Sequence, residues 1–137
     1  MAYNNFSLQD AIDRFDLKLI ELAFCESLPS VSLEPEFLNI FDRYLSLGQK
    51  ARSEKARSEL IVSPVLVELL HLADHQIQLF SGEEFNVDRE RGLNGFCDFL
   101  LTKSTISSII QAPIVMLVEA KKEELDVGWG QCAAEMV

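Results

Sequence analysis

Long apolar runs are absent from this chain. A helix that crosses a bilayer takes about 18 or more consecutive apolar residues, and no stretch approaches that, so no membrane partner is expected. Cysteine is scarce. Cys25, Cys97 and Cys132 are odd in number, widely separated and form no Cys-x-x-Cys pair. Neither a disulfide framework nor a zinc site is expected, and a reducing, cytoplasmic setting is. The first residues, Met1 to Phe6, hold neither a basic nor an apolar leader segment, so no secretory signal is expected. Glycine (6) and proline (4) are too few for low-complexity tracts, and no repeat or interdomain linker appears. Basic residues are outnumbered, 12 against 22 acids, which leaves a formal charge of −10. Phosphate binders usually present a basic surface. Any affinity for nucleic acid is therefore expected to be weak and non-specific unless bound cations neutralise an acidic pocket.

What remains is ordinary material for a globular fold. The 137 residues are 48% apolar and 25% charged, enough for one domain with a core. Ser7 with Asp10 three residues on reads as a helix start, and Leu8, Ile12, Phe15, Leu19, Leu22 and Ala23 recur at helical steps. An amphipathic helix is predicted over 7–25. Ser32 is expected to cap a second helix, with Pro35 in its first turn, Phe37, Leu38, Phe41, Tyr44 and Leu45 on its apolar side, and Gly48 as its stop. A third helical stretch covers about 51–72, kinked at Pro64 or divided there into two short helices. Residues 1–50 read as a helical extension packed on a core formed by 51–137.

The period changes at Gln76. Residues 77–87 alternate like one irregular strand or a hairpin about Ser81 and Gly82. A turn over 88–95 leads to strands near 96–103 and 113–121, joined by a Ser/Thr-rich link. Gly128 and Gly130 then open a helix at Gln131. Helices followed by strands and a last helix make an α+β fold, with a small, mixed sheet flanked by helices.

Two strand positions carry chemistry. Ile114 to Val118 is a buried apolar run that exits into Glu119, Ala120 and Lys121. Glu119 and Lys121 share one strand face. Asp98 is a lone acid inside the apolar segment 95–101, and an acid placed there needs a partner, water or a metal. Asp98 and Glu119 offer hard oxygens for Mg²⁺ or Mn²⁺, the carbonyl of Ala120 offers a further ligand, and Lys121 can orient water or balance charge on a pentavalent phosphorus. The competing reading is a strand that ends in solvated charges. Glu-x-Lys alone is common, and only the acid about twenty residues before it gives the pattern specificity.

An acid followed at that spacing by Glu-x-Lys resembles the PD-(D/E)xK nuclease superfamily. The stretch from Ser53 to Val137 is similar to a group of cyanobacterial proteins within it. The supporting phrases are Ser58 to Pro64, Leu79 to Asp88, Arg91 to Asp98, Val118 to Lys121 and Gly130 to Glu135. The resemblance implies a restriction-endonuclease-like αβββα core and a metal-dependent, nuclease-like hydrolase. It also implies a metal-site glutamate on the helix before the first strand, Glu59 first and Glu68 second. Gln131 would be the phosphate- or water-contacting glutamine of the helix after Glu-x-Lys. Cys97 stands where the motif has proline. The strand that follows the last helix in the superfamily has no counterpart before Val137. Either the protein is a shortened form or a second subunit covers the sheet edge, so a homo-oligomer is expected. The rival functional reading is a non-catalytic interaction module that keeps the fold.

Other candidates carry less. His71 and His75 have ligand spacing but lack the HExxH pattern, and polar surface residues explain them as well. Lys50, Arg52, Lys55 and Arg57 could steer a phosphate backbone towards Glu59, or simply pair with Glu54 and Glu59 on a solvated helix face. Cys132 has no histidine nearby in sequence to activate it.

Overall fold

The computed structural model describes residues 2–23, 26, 28–74, 76–104, 106–121 and 125–137. Cys25 and His75 lie outside the described residues, so the His71–His75 pair is not among the observed clusters.

The chain opens with a 3₁₀ turn, Tyr3–Asn5, and a short helix, α1, Leu8–Phe15. Ser7 and Asp10 cap α1 reciprocally: the Asp10 N–H donates to the Ser7 hydroxyl at 3.1 Å and the Ser7 N–H to the Asp10 carboxylate at 3.1 Å. The helix expected to reach residue 25 stops at Phe15, because Asp16 takes a left-handed conformation (φ 53°, ψ 45°) and closes it. Aspartate tolerates that region better than most residues. The apolar residues beyond it, Leu19, Ile20 and Leu22, are exposed and non-helical.

Helix α2, Pro35–Gly48, starts behind Glu34 with no side-chain cap, so Ser32 does not have its expected role. Proline at the first helical position, where no N–H is needed, sets the start instead. Next come α3 (Glu54–Arg57, capped by the Ser53 hydroxyl), a π turn (Ser58–Val62) and α4 (Ser63–Leu72), which run on without a break. Pro64 cannot donate to the ladder and its ring crowds the preceding turn. The widened turn absorbs this, with the Ser63 N–H reaching back five residues to the Ser58 carbonyl. The α-helical ladder thus restarts at Ser63, with Pro64 in its first turn, as one of the two expected readings had it.

Strands β1 (Gln78–Asp88), β2 (Leu93–Thr102) and β3 (Ile114–Val118) form an antiparallel sheet in the order β1-β2-β3. The mixed sheet expected from sequence is corrected: every pairing is antiparallel, as short connections between sequential strands require. Residues 78–88 are one strand and not a hairpin, with Gly82 accommodated at φ 66°. Helix α5, Leu125–Glu135, follows, and Gly128 and Gly130 lie inside it instead of ahead of it.

Two apolar clusters hold these elements. Tyr3, Phe6, Leu93 and Ala134, with Phe15 and Phe85 against them, join the first fifteen residues to β2 and α5. Leu66, Phe99 and Leu101, with Val62, Leu69 and Val118, join α4 to the sheet. Gly130 is needed for the first cluster: a Cβ there would strike the Phe6 carbonyl and the backbone of Ser7. No helix among the described residues is long and apolar enough to cross a membrane.

Candidate functional site

Cys97 and Asp98 lie on β2 between the two clusters, after Leu93 of one and before Phe99 of the other. The register pairs Phe99 with Val118, which sets Asp98 opposite Glu119 where β3 leaves the sheet. The two acids take over the bonds that the ladder relinquishes there. The Asp98 N–H donates to Glu119 Oε1 at 3.1 Å, and the Ala120 N–H donates to Asp98 Oδ2 at 2.8 Å. Each carboxylate thus caps the other residue's strand, and the exit of β3 is fixed against β2.

Lys121 extends the network. Its ammonium donates to Glu119 Oε2 at 3.4 Å and to Gln131 Oε1 at 3.2 Å. The Gln131 amide donates in turn to Glu135 Oε1 at 3.0 Å, one helical turn on. This is a shielded ion pair, with side-chain exposures of 19% for Lys121 and 4% for Glu119. Removing one partner of such a pair leaves a buried charge uncompensated.

Burial dominates the acidities. It raises the Glu119 carboxyl above its ordinary value; the Asp98 N–H and Lys121 oppose that, and the Asp98 charge adds to it. Glu135 is pushed up to about 8, by burial first and by the nearby Glu119 charge, with the Gln131 amide pulling down. Burial also raises the Cys97 thiol, reinforced by Glu135 and Glu119, and takes the Tyr3 hydroxyl up to about 12.

Asp98, Glu119, Lys121 and Gln131 line one pocket of about 490 Å³, together with Ala2, Tyr3, Glu84 and Phe96. Phe96 stands open at this pocket, 67% exposed. Asp98 also borders a smaller pocket of about 170 Å³ on the side of Glu54, Lys55 and Ser58. Of the residues singled out in the sequence, the structure therefore draws together Asp98, Glu119, Ala120 (through its N–H), Lys121 and Gln131. It does not bring in Glu59, whose exposed carboxylate pairs with Lys55 at 2.9 Å along the helix. Glu68, on α4 with its Oε1 buried and unpartnered, does not line that pocket.

Sequence reasoning missed two neighbours. Cys97 Sγ and Glu135 lie with Glu119, all three ligand atoms within 4.8 Å of one another. Gln131 and Glu135 are four apart on a helix, so the glutamine already pointed to the glutamate on its own face. Nothing in the sequence joined Cys97 to them.

Two carboxylates lining one pocket suit a hard divalent cation. Mg²⁺ keeps several waters and needs only one or two protein carboxylates. A carboxylate offers about four lone-pair sites, so the bonds already made by Asp98 and Glu119 leave capacity for an ion. Comparison with family models, with curated proteins and with solved structures finds no match for this chain.

Proposed function

We propose that the protein is a divalent-metal-dependent phosphodiester hydrolase of the nuclease-like kind. The observation that carries this reading is the interlock of Asp98 and Glu119 at the exit of β3, with Lys121 and Gln131 beside them on one pocket. The order of α4, three strands and α5 supports a restriction-endonuclease-like αβββα core.

Asp98 and Glu119 would hold Mg²⁺ or Mn²⁺, with the Ala120 carbonyl as a third candidate ligand. Such an ion supplies Lewis-acid polarisation of a phosphoryl group and neutralises its charge. The chain's own residues do the rest. Lys121, held by Glu119 and Gln131, places a fixed cation beside the carboxylates, where negative charge grows as the phosphorus becomes pentavalent. Gln131 orients that ammonium and presents its amide to water or phosphate. Phe96, open on the pocket rim, offers a face on which a base can stack. Glu84, Asp98 and Glu119 repel a phosphate when no cation is present, so turnover should depend strictly on metal. Lys55, on the smaller pocket beside Asp98, is the candidate for steering the backbone.

The test pairs binding with turnover. Calorimetric titration with Mn²⁺ should give heat with the native chain and none with Asp98→Asn. Nicking of plasmid DNA, or cleavage of single-stranded DNA or RNA, should fall about 100-fold or more in Asp98→Asn and Lys121→Met. Absence of both Mn²⁺ heat and cleavage of any of these substrates by the native chain would remove the proposal.

A second reading, an interaction module that assembles with its own copies, is favoured by one observation. β3 pairs with β2 alone among the described strands, and beside its free edge an apolar pocket of about 420 Å³ is lined by Phe85, Ile110, Ile114, Met116 and Met136. Pairing of two β3 edges would extend the sheet from one copy into the next. Light scattering should then report a dimer, and Val115→Lys should return it to a monomer. A native monomer at micromolar concentration would end this reading.

A further inference from the structure

The Cys97 thiol has no part in the hydrolase chemistry, yet it lies in a shielded polar cluster. Its Sγ and carboxylate oxygens of Glu119 and Glu135 come within 4.8 Å of one another, from β2, the exit of β3 and α5. Cys97 is 2% exposed and Glu135 4% exposed. Glu135 Oε1 accepts from Gln131, but Glu135 Oε2 is buried with no hydrogen-bond partner outside the cluster itself. The Tyr3 hydroxyl is close enough for Cys97 and Glu135 to act on it electrostatically. Unpartnered buried oxygens are rare in folded proteins and call for a group that satisfies them.

We propose that Cys97, Glu119 and Glu135 form a second cation site, selective for a borderline-soft divalent ion of the zinc class. One sulfur and two carboxylates suit zinc, whereas a thiolate is a poor ligand for magnesium. Zinc bonds of about 2.3 Å to sulfur and about 2.1 Å to oxygen set ligand atoms roughly 3.5 Å apart, so the observed cluster closes on an ion with movements of under about 1 Å. The charge balances. A thiolate and two carboxylates bring three negative charges, which the ion and the neighbouring Lys121 cancel. Gln131, bonded to Glu135, holds that ligand in place as outer-shell groups do at metal centres. The spacing of cysteines along the chain gave no hint of this site, because its ligands come from three separate elements. Glu119 serves both sites, so zinc here opposes Mn²⁺ at Asp98. Tying β2, the exit of β3 and α5 together, the ion also stabilises the fold.

Cobalt reports on the thiolate directly. The full chain, stripped with chelator and given one equivalent of Co²⁺, should develop a thiolate-to-cobalt charge-transfer band that Zn²⁺ bleaches. Cys97→Ser should lose the band; Asp98→Asn and Cys132→Ser should keep it. Glu135→Gln, which preserves shape, should weaken Zn²⁺ binding about tenfold or more. No band in the native chain, a band that survives Cys97→Ser, or unchanged Zn²⁺ affinity in Glu135→Gln overturns the proposal. Should Cys97→Ser fail to fold, the Glu135→Gln affinity decides. Because Asp98→Asn is expected to leave this site intact, failure here and failure of the hydrolase reading are read from different variants.

Discussion

Helices α1 and α2 both carry an apolar stripe, yet the molecule uses them differently. The shorter one is the better buried. Together with the 3₁₀ turn before it, α1 sinks Tyr3, Phe6 and Ala11 into the interior against β2 and α5. Over the fourteen residues of α2 only Gly48 is buried, and Leu38, Ile40 and Leu47 face outward. Its anchor is a close approach of Gly48 to Ile61 in the π turn. A helix of eight residues is marginal on its own, so α1 owes its existence to docking. α2 is long enough for its end signals and its internal Phe37–Phe41 stack, 5.5 Å between centroids, to sustain it with less help. Periodicity reveals a helix; it does not reveal whether its apolar side has anything to lie against.

The sharpest way to break this contrast is at the two glycines. Gly130→Ala drives a methyl into the backbone of Phe6 and Ser7, which cannot yield without undocking the first fifteen residues. A loss of about 3 kcal/mol or more is expected from urea unfolding. Gly48→Ala meets the Ile61 side chain at 2.5 Å, and a side chain can rotate away, so about 1 kcal/mol is expected. Equal losses at the two positions would show that α2 is docked as firmly as α1.

Truncating side chains gives the next largest difference. Phe6→Ala should cost about 3 kcal/mol by opening a cavity beside Phe15 and Leu93. Leu38→Ala, on the open side of α2, should stay within about 0.5 kcal/mol. The same urea midpoints serve as the measurement.

The two regions should also differ in their response to pH. Glu135, under the docked N-terminal segment, has its carboxyl raised from 4.5 to about 8 in the folded chain. The folded protein then holds a proton that the unfolded chain releases. The stabilisation is complete below pH of about 4.5 and is lost as pH rises through about 8. In metal-free protein, stability should therefore decline over that interval, and Glu135→Gln should flatten the decline. Leu38→Ala removes no ionisable group and should leave the slope unchanged.

The comparison also marks what could be read from residues alone. The start of α1 was legible because Ser7 and Asp10 satisfy the first free N–H groups whatever surrounds them. Its end was not, since Asp16 adopts a left-handed turn that the apolar steps through Leu22 give no reason to expect. Strand parity and the lone acid in β2 were enough to single out Asp98 and Glu119, which the structure joins through the N–H groups of Asp98 and Ala120. Glu59 was singled out by its place on a helix, and a helix position does not fix which way a side chain looks. Its carboxylate goes to Lys55. Cys97 and Glu135 were invisible because their proximity is made by the docking of α5, a contact between distant parts of the chain.

Ala2 and Asn4 stand at the rim of the pocket that holds Asp98 and Glu119. A purification tag or fusion partner joined ahead of Ala2 would emerge at that opening and hang across it. Assays of cleavage or ion uptake are best run with handles at the other end, or after removal of the leader, lest an inert protein be only a blocked one.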